Sequence, residues 1–179
     1  DQIKMKFNRG YWRLEHRCTN DDCPWPDQAL PFYCVDEEIF RFLPTVVVGT
    51  LDKAASVSIQ AALRGVYGAP LAKCSRDGHG FTYTPRKATP IGCLVPDCDG
   101  ERRQLPQARS KYPPGLRIQD ELHLLRDSLG AIDSHYETLL DHLQDESGGN
   151  APKVIASSAT LAGFAEQCRE LYDRQGHVF

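Results

Sequence analysis

The sequence predicts an α/β fold built on a parallel sheet, and three observations lead there. Short apolar runs rich in β-branched residues recur along the chain, turn residues bound each of them, and a helical pattern follows each one. The runs are "PTVVVGT" (44–50), "LRIQ" (116–119) and "KVIASSAT" (153–160). Strand and helix in strict alternation imply parallel strands with helices covering them.

Residues 1–42 read as a Cys-containing lead-in, within which 12–36 lack any long apolar period. Residues 43–69 supply the first strand and a helix, because Leu51, Ala55, Ile59, Ala62, Leu63 and Val66 recur at helical intervals, with Gly65 and Gly68 near the end. Residues 70–115 are rich in Cys, Pro, Gly and Asp and read as an insertion into the sheet's connectivity. Residues 116–179 return to the sheet. There a loop containing "DSLGAIDS" precedes a helix marked by Tyr136, Leu139, Leu140 and Leu143 that stops at "ESGGN". Phe164, Ala165, Cys168, Leu171 and Tyr172 mark a last helix.

A chain of 179 residues is long enough for one α/β core or for part of a larger domain. Its formal net charge of -3 announces no polyanion, so any nucleic-acid surface has to be a local patch of Lys and Arg. No run approaches the roughly 18 apolar residues of a membrane span, and the charged opening "DQIKMKFNRG" is unlike a secretory signal. The expected location is the cytoplasm, with no membrane partner. The chain starts at Asp and ends at "RQGHVF", and is expected to be a segment of something longer.

Seven cysteines, an odd number bunched beside His, Asp and Gly, favour metal binding over a disulfide framework. "KCSRDGHGF" and "GCLVPDCDG" supply Cys74, His79, Cys93 and Cys98, a donor set suited to tetrahedral Zn²⁺ with no vacant place for catalytic water. The bland alternative is reduced, buried cysteines with a surface histidine. Zinc is preferred because this segment has little apolar core to offset its chain entropy. Cys18, Cys23 and Cys34, with His16 as a further donor, could form a second site; alternatively Cys18/Cys23 and Cys93/Cys98 could share one ion. Cys168, on the apolar side of the last helix, reads as core.

"QDELH" falls at the carboxyl end of the second strand, which is where ligands of open parallel sheets sit. A carboxylate there can hold Mg²⁺ through water while its neighbour polarises the water that attacks a γ-phosphate. Asp120 and Glu121 have the right chemistry, although two acids at a helix start would also complement its dipole. "SSATL" at the end of the next strand adds a second motif in the right order.

On these residues the chain resembles superfamily 2 helicases: "DELH" is similar to their motif II, and Ser158, Ala159 and Thr160 to the "SAT" of motif III. The resemblance implies a partial RecA-like (P-loop NTPase) motor domain that uses ATP and Mg²⁺. It implies that Asp120 coordinates the metal and Glu121 is the catalytic carboxylate. His123, with Ser158 and Thr160, would couple the nucleotide site to nucleic acid. "VVVGTLDKAA" adds Thr50 and Lys53 as backbone contacts to DNA or RNA, or equally a capped helix start with a solvated lysine. The strings "LRIQDELHLLRDSLGAIDSHYETLLDHLQ" and "KVIASSATLAGFAEQCRELYDR" resemble DrmA-type helicases of the DISARM bacterial anti-phage system, which implies other defence-system proteins as partners. One departure stands out. No "GxxxxGK[ST]" string occurs, so the phosphate loop is missing and the chain is expected to be inactive alone. The rival reading is a non-catalytic, zinc-dependent module that binds nucleic acid or protein.

Secondary candidates are Arg102, Arg103, Arg109, Lys111 and Arg117, which make the segment before "DELH" basic, and Trp12, Trp25 and Tyr33, which could stack on bases. A solvated loop, and aromatics packed around a metal site, are the plainer readings.

Overall fold

The computed structural model describes residues 2–179 apart from 27, 51, 52, 54–61, 63, 68, 69, 71, 106–112, 147 and 161, and describes 64 and 127–129 by backbone alone. It is a mixed α/β structure with small sheets, divided into two compact units: Asp1–Val48 with Pro70–Gln107, and Gly49–Ala69 with Ala108–Phe179. Among the described residues, no helix is long and apolar enough to cross a membrane.

The first unit opens with an antiparallel hairpin, β1 (Ile3–Asn8) and β2 (Arg13–Cys18). Helix α1 (Asp36–Phe42) follows, with Asp36, Glu37 and Glu38 in its first turn and Arg41 in its last, as the helix dipole favours. A three-stranded antiparallel sheet of order β4-β3-β5 completes the unit, from β3 (Ala72–Cys74), β4 (Phe81–Thr82) and β5 (Arg102–Gln104). The Tyr83 hydroxyl ties this sheet to α1 by donating to the Phe40 carbonyl at 2.6 Å. The core here is slight. One cluster consists of Cys74, Cys93 and Val95, with Ile91 and Cys98 packed against it, so cysteine sulfurs occupy the place that larger side chains fill in a self-sufficient domain.

The second unit contains one helical turn, α2 (Arg64–Tyr67), and a parallel pair, β6 (Leu116–Gln119) and β7 (Lys153–Ala156), with Ile118 opposite Ile155. The connection between those strands is a short 3-10 turn, Leu122–Leu124, and α3 (Asp127–Glu146); α4 (Phe164–Tyr172) follows β7. Leu122, Leu125, Leu171 and Tyr172 form the core, with Val154, Ala156 and Cys168 packed on it. Cys168 therefore lies against the core, as its place in the helical stripe implies.

Three local expectations read differently in the structure. "DSLGAIDS" is helical, the first turns of α3, because Gly130 has no Cβ to meet the Leu125 carbonyl oxygen, which would lie 2.8 Å away. In α4 the buried stripe runs through Gln167 while Ala165 is exposed. "PTVVVGT" joins no ladder among the described residues, and Val46 and Val48 are 76% and 89% exposed. β-branched residues favour extended backbone, but burial requires a partner strand. The helix expected over 51–66 falls mostly outside the described residues.

Candidate metal centre and carboxylate edge

Two tight loops bring four donors together in the first unit. Cys74 ends β3, His79 precedes β4, and Cys93 and Cys98 come from the loop before β5. Their ligand atoms all lie within 4.8 Å of one another. Cys74 Sγ is 3.6 Å from Cys98 Sγ and 3.8 Å from His79 Nδ1, while His79 Nδ1 is 3.2 Å from Cys98 Sγ and 3.6 Å from Cys93 Sγ. Sulfur and nitrogen at about 2.3 and 2.0 Å from a tetrahedral Zn²⁺ stand at comparable separations. Backbone N–H groups of Arg76 and Gly100 point at the Cys74 and Cys98 sulfurs, each at 3.4 Å, as thiolate ligands require. Gly100 is part of the cradle: a Cβ there would come within 2.7 Å of Cys74 Sγ and 3.3 Å of Cys98 Sγ.

The electrostatics suit a metal as well. Burial pushes the Cys74 thiol up and the Cys93 thiol to about 12, so without a cation these sulfurs keep their protons. Burial, then Arg41 and Arg76, holds His79 below its usual value and so in the neutral form that ligates. A Cys₃His set with all four positions taken by protein is compatible with zinc and leaves no open coordination position.

Arg41, 1% exposed, locks this centre to the rest of the unit. Its Nε donates to the His79 carbonyl at 2.8 Å, and at 2.7 Å its Nη1 donates to Trp12 and its Nη2 to Tyr11 and Gly78. Burial disfavours its charge, and the Glu38 carboxylate offsets part of this. Sequence reasoning missed Arg41, since its partners come from two distant segments.

The other cysteines gather differently. Cys34 Sγ lies 4.0 Å from His16 Nε2, and among the described residues Cys74, His79, Cys93 and Cys98 are the group of three or more metal-type donors. Cys18 and Cys23 stand at the end of β2 and in the loop after it.

In the second unit, "DELH" and "SSAT" meet just beyond the carboxyl ends of β6 and β7. The pairing continues past both strands, Ser157 N–H donating to Gln119 at 2.9 Å and Leu122 N–H to Ser157 at 2.8 Å. Asp120 Oδ1 accepts the Ser157 hydroxyl and the Glu121 N–H, the latter at 3.0 Å. Glu121 is left-handed at φ 54, a strained state for a residue with a Cβ, and its carboxylate is exposed. His123 Nδ1 stands 3.3 Å from both Glu121 Oε2 and the Ala159 N–H. It can accept from Ala159 or, when protonated, donate to Glu121, but not both. Ser158 Oγ donates to the Thr160 carbonyl at 2.7 Å, and Arg126 reaches Thr160 Oγ1 at 3.4 Å. Gln167, which the sequence reading passed over, supports this edge from α4 by donating to the Leu122 and Leu125 carbonyls at 2.7 and 2.6 Å.

Thr50 and Lys53 are exposed, with Lys53 N–H donating to the Thr50 carbonyl at 3.0 Å. Arg117 is committed to Glu137 and, at 2.8 Å, to Asp141, so its charge serves packing; Arg109 and Lys111 lie outside the described residues.

No family model matches the chain. In an alignment 164 positions long that covers 88% of the chain, it is 32% identical to the DISARM protein DrmA of Bacillus paralicheniformis. It spans 14% of the length of that curated relative. The comparison supports a DrmA-like relationship for this stretch of chain.

Proposed function

We propose that the chain is the motif II–III part of the first motor domain of a superfamily 2 helicase or translocase, RecA-like in fold, working in cytoplasmic anti-phage defence. The observation that carries this reading is the meeting of Asp120–Glu121 with Ser157–Thr160 beyond the carboxyl ends of two parallel strands. Similarity to DrmA supports it.

In this reading Asp120, oriented by the Ser157 hydroxyl, would hold Mg²⁺ through water, and Glu121 would orient the attacking water. Mg²⁺ would supply charge neutralisation at the phosphates. His123 couples the two motifs because its Nδ1 faces both Glu121 and the backbone of Ala159. Thr50 and Lys53 contact the DNA or RNA backbone, and other defence proteins assemble with the whole protein. With no "GxxxxGK[ST]" string in these 179 residues, a phosphate loop would come from elsewhere in the longer protein. The Cys74–His79–Cys93–Cys98 cluster holds a structural Zn²⁺ that completes a core too small to stand alone.

Nucleotide binding by the full-length protein tests the reading. Asp120→Asn is expected to weaken Mg²⁺-dependent ATP binding by about tenfold. Identical Mg²⁺ dependence in both proteins would favour the non-catalytic zinc module instead.

A further inference from the structure

The β1–β2 hairpin sorts its side chains by face. Its register sets Ile3 against Cys18, Met5 against His16 and Phe7 against Leu14, and alternately Lys4 against Arg17, Lys6 against Glu15 and Asn8 against Arg13. Because side chains alternate along a strand, one face is largely apolar and the other carries Lys4, Lys6, Arg13 and Arg17 around Glu15. Glu15 is buried and already bonded to Asn8 at 2.7 Å, to Arg17 at 2.7 Å and to Arg13 at 3.4 Å. Lys4, Lys6 and, at the turn, Arg9 are exposed, and no carboxylate among the described residues pairs with them. Lys4 also faces Arg17 directly across the ladder.

The charge is local: the chain as a whole is at -3, yet Lys4, Lys6, Arg9, Arg13 and Arg17 fall in the hairpin with Glu15 as its lone acid. It is also in a row. Same-face residues on a strand are about 6.7 Å apart, so Lys4 and Lys6 line up for a polyanion better than for a point ion, and Arg9 follows in the turn. The hairpin turn is held rigid, because Arg41 binds the Tyr11 and Trp12 carbonyls together with those of Gly78 and His79 in the metal loop.

We propose that this basic hairpin face is a nucleic-acid contact that grips the phosphate backbone, held in position by the metal loop through Arg41. It needs no base recognition, since lysines on phosphate carry no sequence information. The site uses none of the residues of the carboxylate edge, and its binding does not require ATP.

The test is binding of fluorescein-labelled oligothymidylate, and of a duplex of equal length, to the full-length protein across a salt series without ATP. Lys4→Glu with Lys6→Glu should weaken binding by about tenfold at fixed salt. The slope of log affinity against log salt should fall by about 1.4 on the single strand, two contacts at about 0.7 each. Lys87→Glu with Lys153→Glu, an equal charge change at exposed sites elsewhere, should match wild type. Wild-type zinc content in the hairpin variant shows that the unit has folded, and Arg9→Glu offers a second route to the same loss. Unchanged affinity and slope would overturn the proposal, as would equal loss in the control pair. Retained nucleic-acid binding with lost capture of an acidic protein would overturn it in favour of a protein surface. Because no ATP is present, failure of the motor reading leaves this result standing.

Discussion

The guanidinium of Arg41 donates from Nε to the carbonyl of His79 at 2.8 Å, joining a helix end to a candidate metal ligand. Three further carbonyls, those of Tyr11, Trp12 and Gly78, depend on the same side chain. A planar fork of five N–H donors can serve such a cage, and the three donors of a lysine cannot reproduce it. Arg41→Lys is therefore expected to cost about 3 kcal/mol, as loss of a buried charged network does. The check is the urea midpoint with zinc in excess; a wild-type midpoint would show that the carbonyls find other partners.

Gly100→Ala should loosen the metal and spare the second unit. The added methyl meets two ligand sulfurs at 2.7 and 3.3 Å, so the ligands must shift. Supporting positions of this kind change affinity by roughly tenfold or more. Competition with a chromophoric chelator measures it, and equal zinc retention in both proteins would contradict the cradle.

Asp133 is 2% exposed, and its Oδ2 has no hydrogen-bond partner among the described residues. Burial pushes its carboxyl above the usual range, with Arg117 opposing. A folded-state value above the unfolded one favours the protonated acid, so the stabilisation is complete below the ordinary aspartate range and disappears as pH rises through the folded value. At neutral pH the group is a liability. Asp133→Asn should raise stability by about 1 kcal/mol at pH 7, with the gain shrinking on acidification, as urea titrations at several pH values would show. A gain that grows toward acid would reverse the assignment.

Arg117 stands between Glu137 and Asp141, joining β6 to the buried side of α3. Removing one member of such a group leaves charge buried without its partner. Arg117→Met should cost about 3 kcal/mol, whereas Arg103→Met, at an exposed position, should be nearly silent. Comparable losses in the two would argue for a shared basic patch instead.

How much of this was legible beforehand depended on the range of the interaction. Helix α4 and the parallel strands follow from local periodicity, and the four metal donors from residue type within two short segments. Arg41 was invisible because its partners sit about 30 and 38 positions away in sequence, and Ser157 because its hydroxyl matters only through a neighbouring strand end. "DSLGAIDS" misled because glycine weakens a helix in general, whereas Gly130 is required by one close backbone approach. "PTVVVGT" has the composition of a buried strand, but composition does not specify a partner.

The most direct test of the account is DNA-stimulated ATP hydrolysis by the full-length protein, wild type beside Glu121→Gln. Turnover is expected to fall by at least about a hundredfold while ATP binding persists, since a positioned base contributes on that order. Equal turnover in the two proteins would contradict it and leave the left-handed Glu121 as a strained strand end with no part in catalysis.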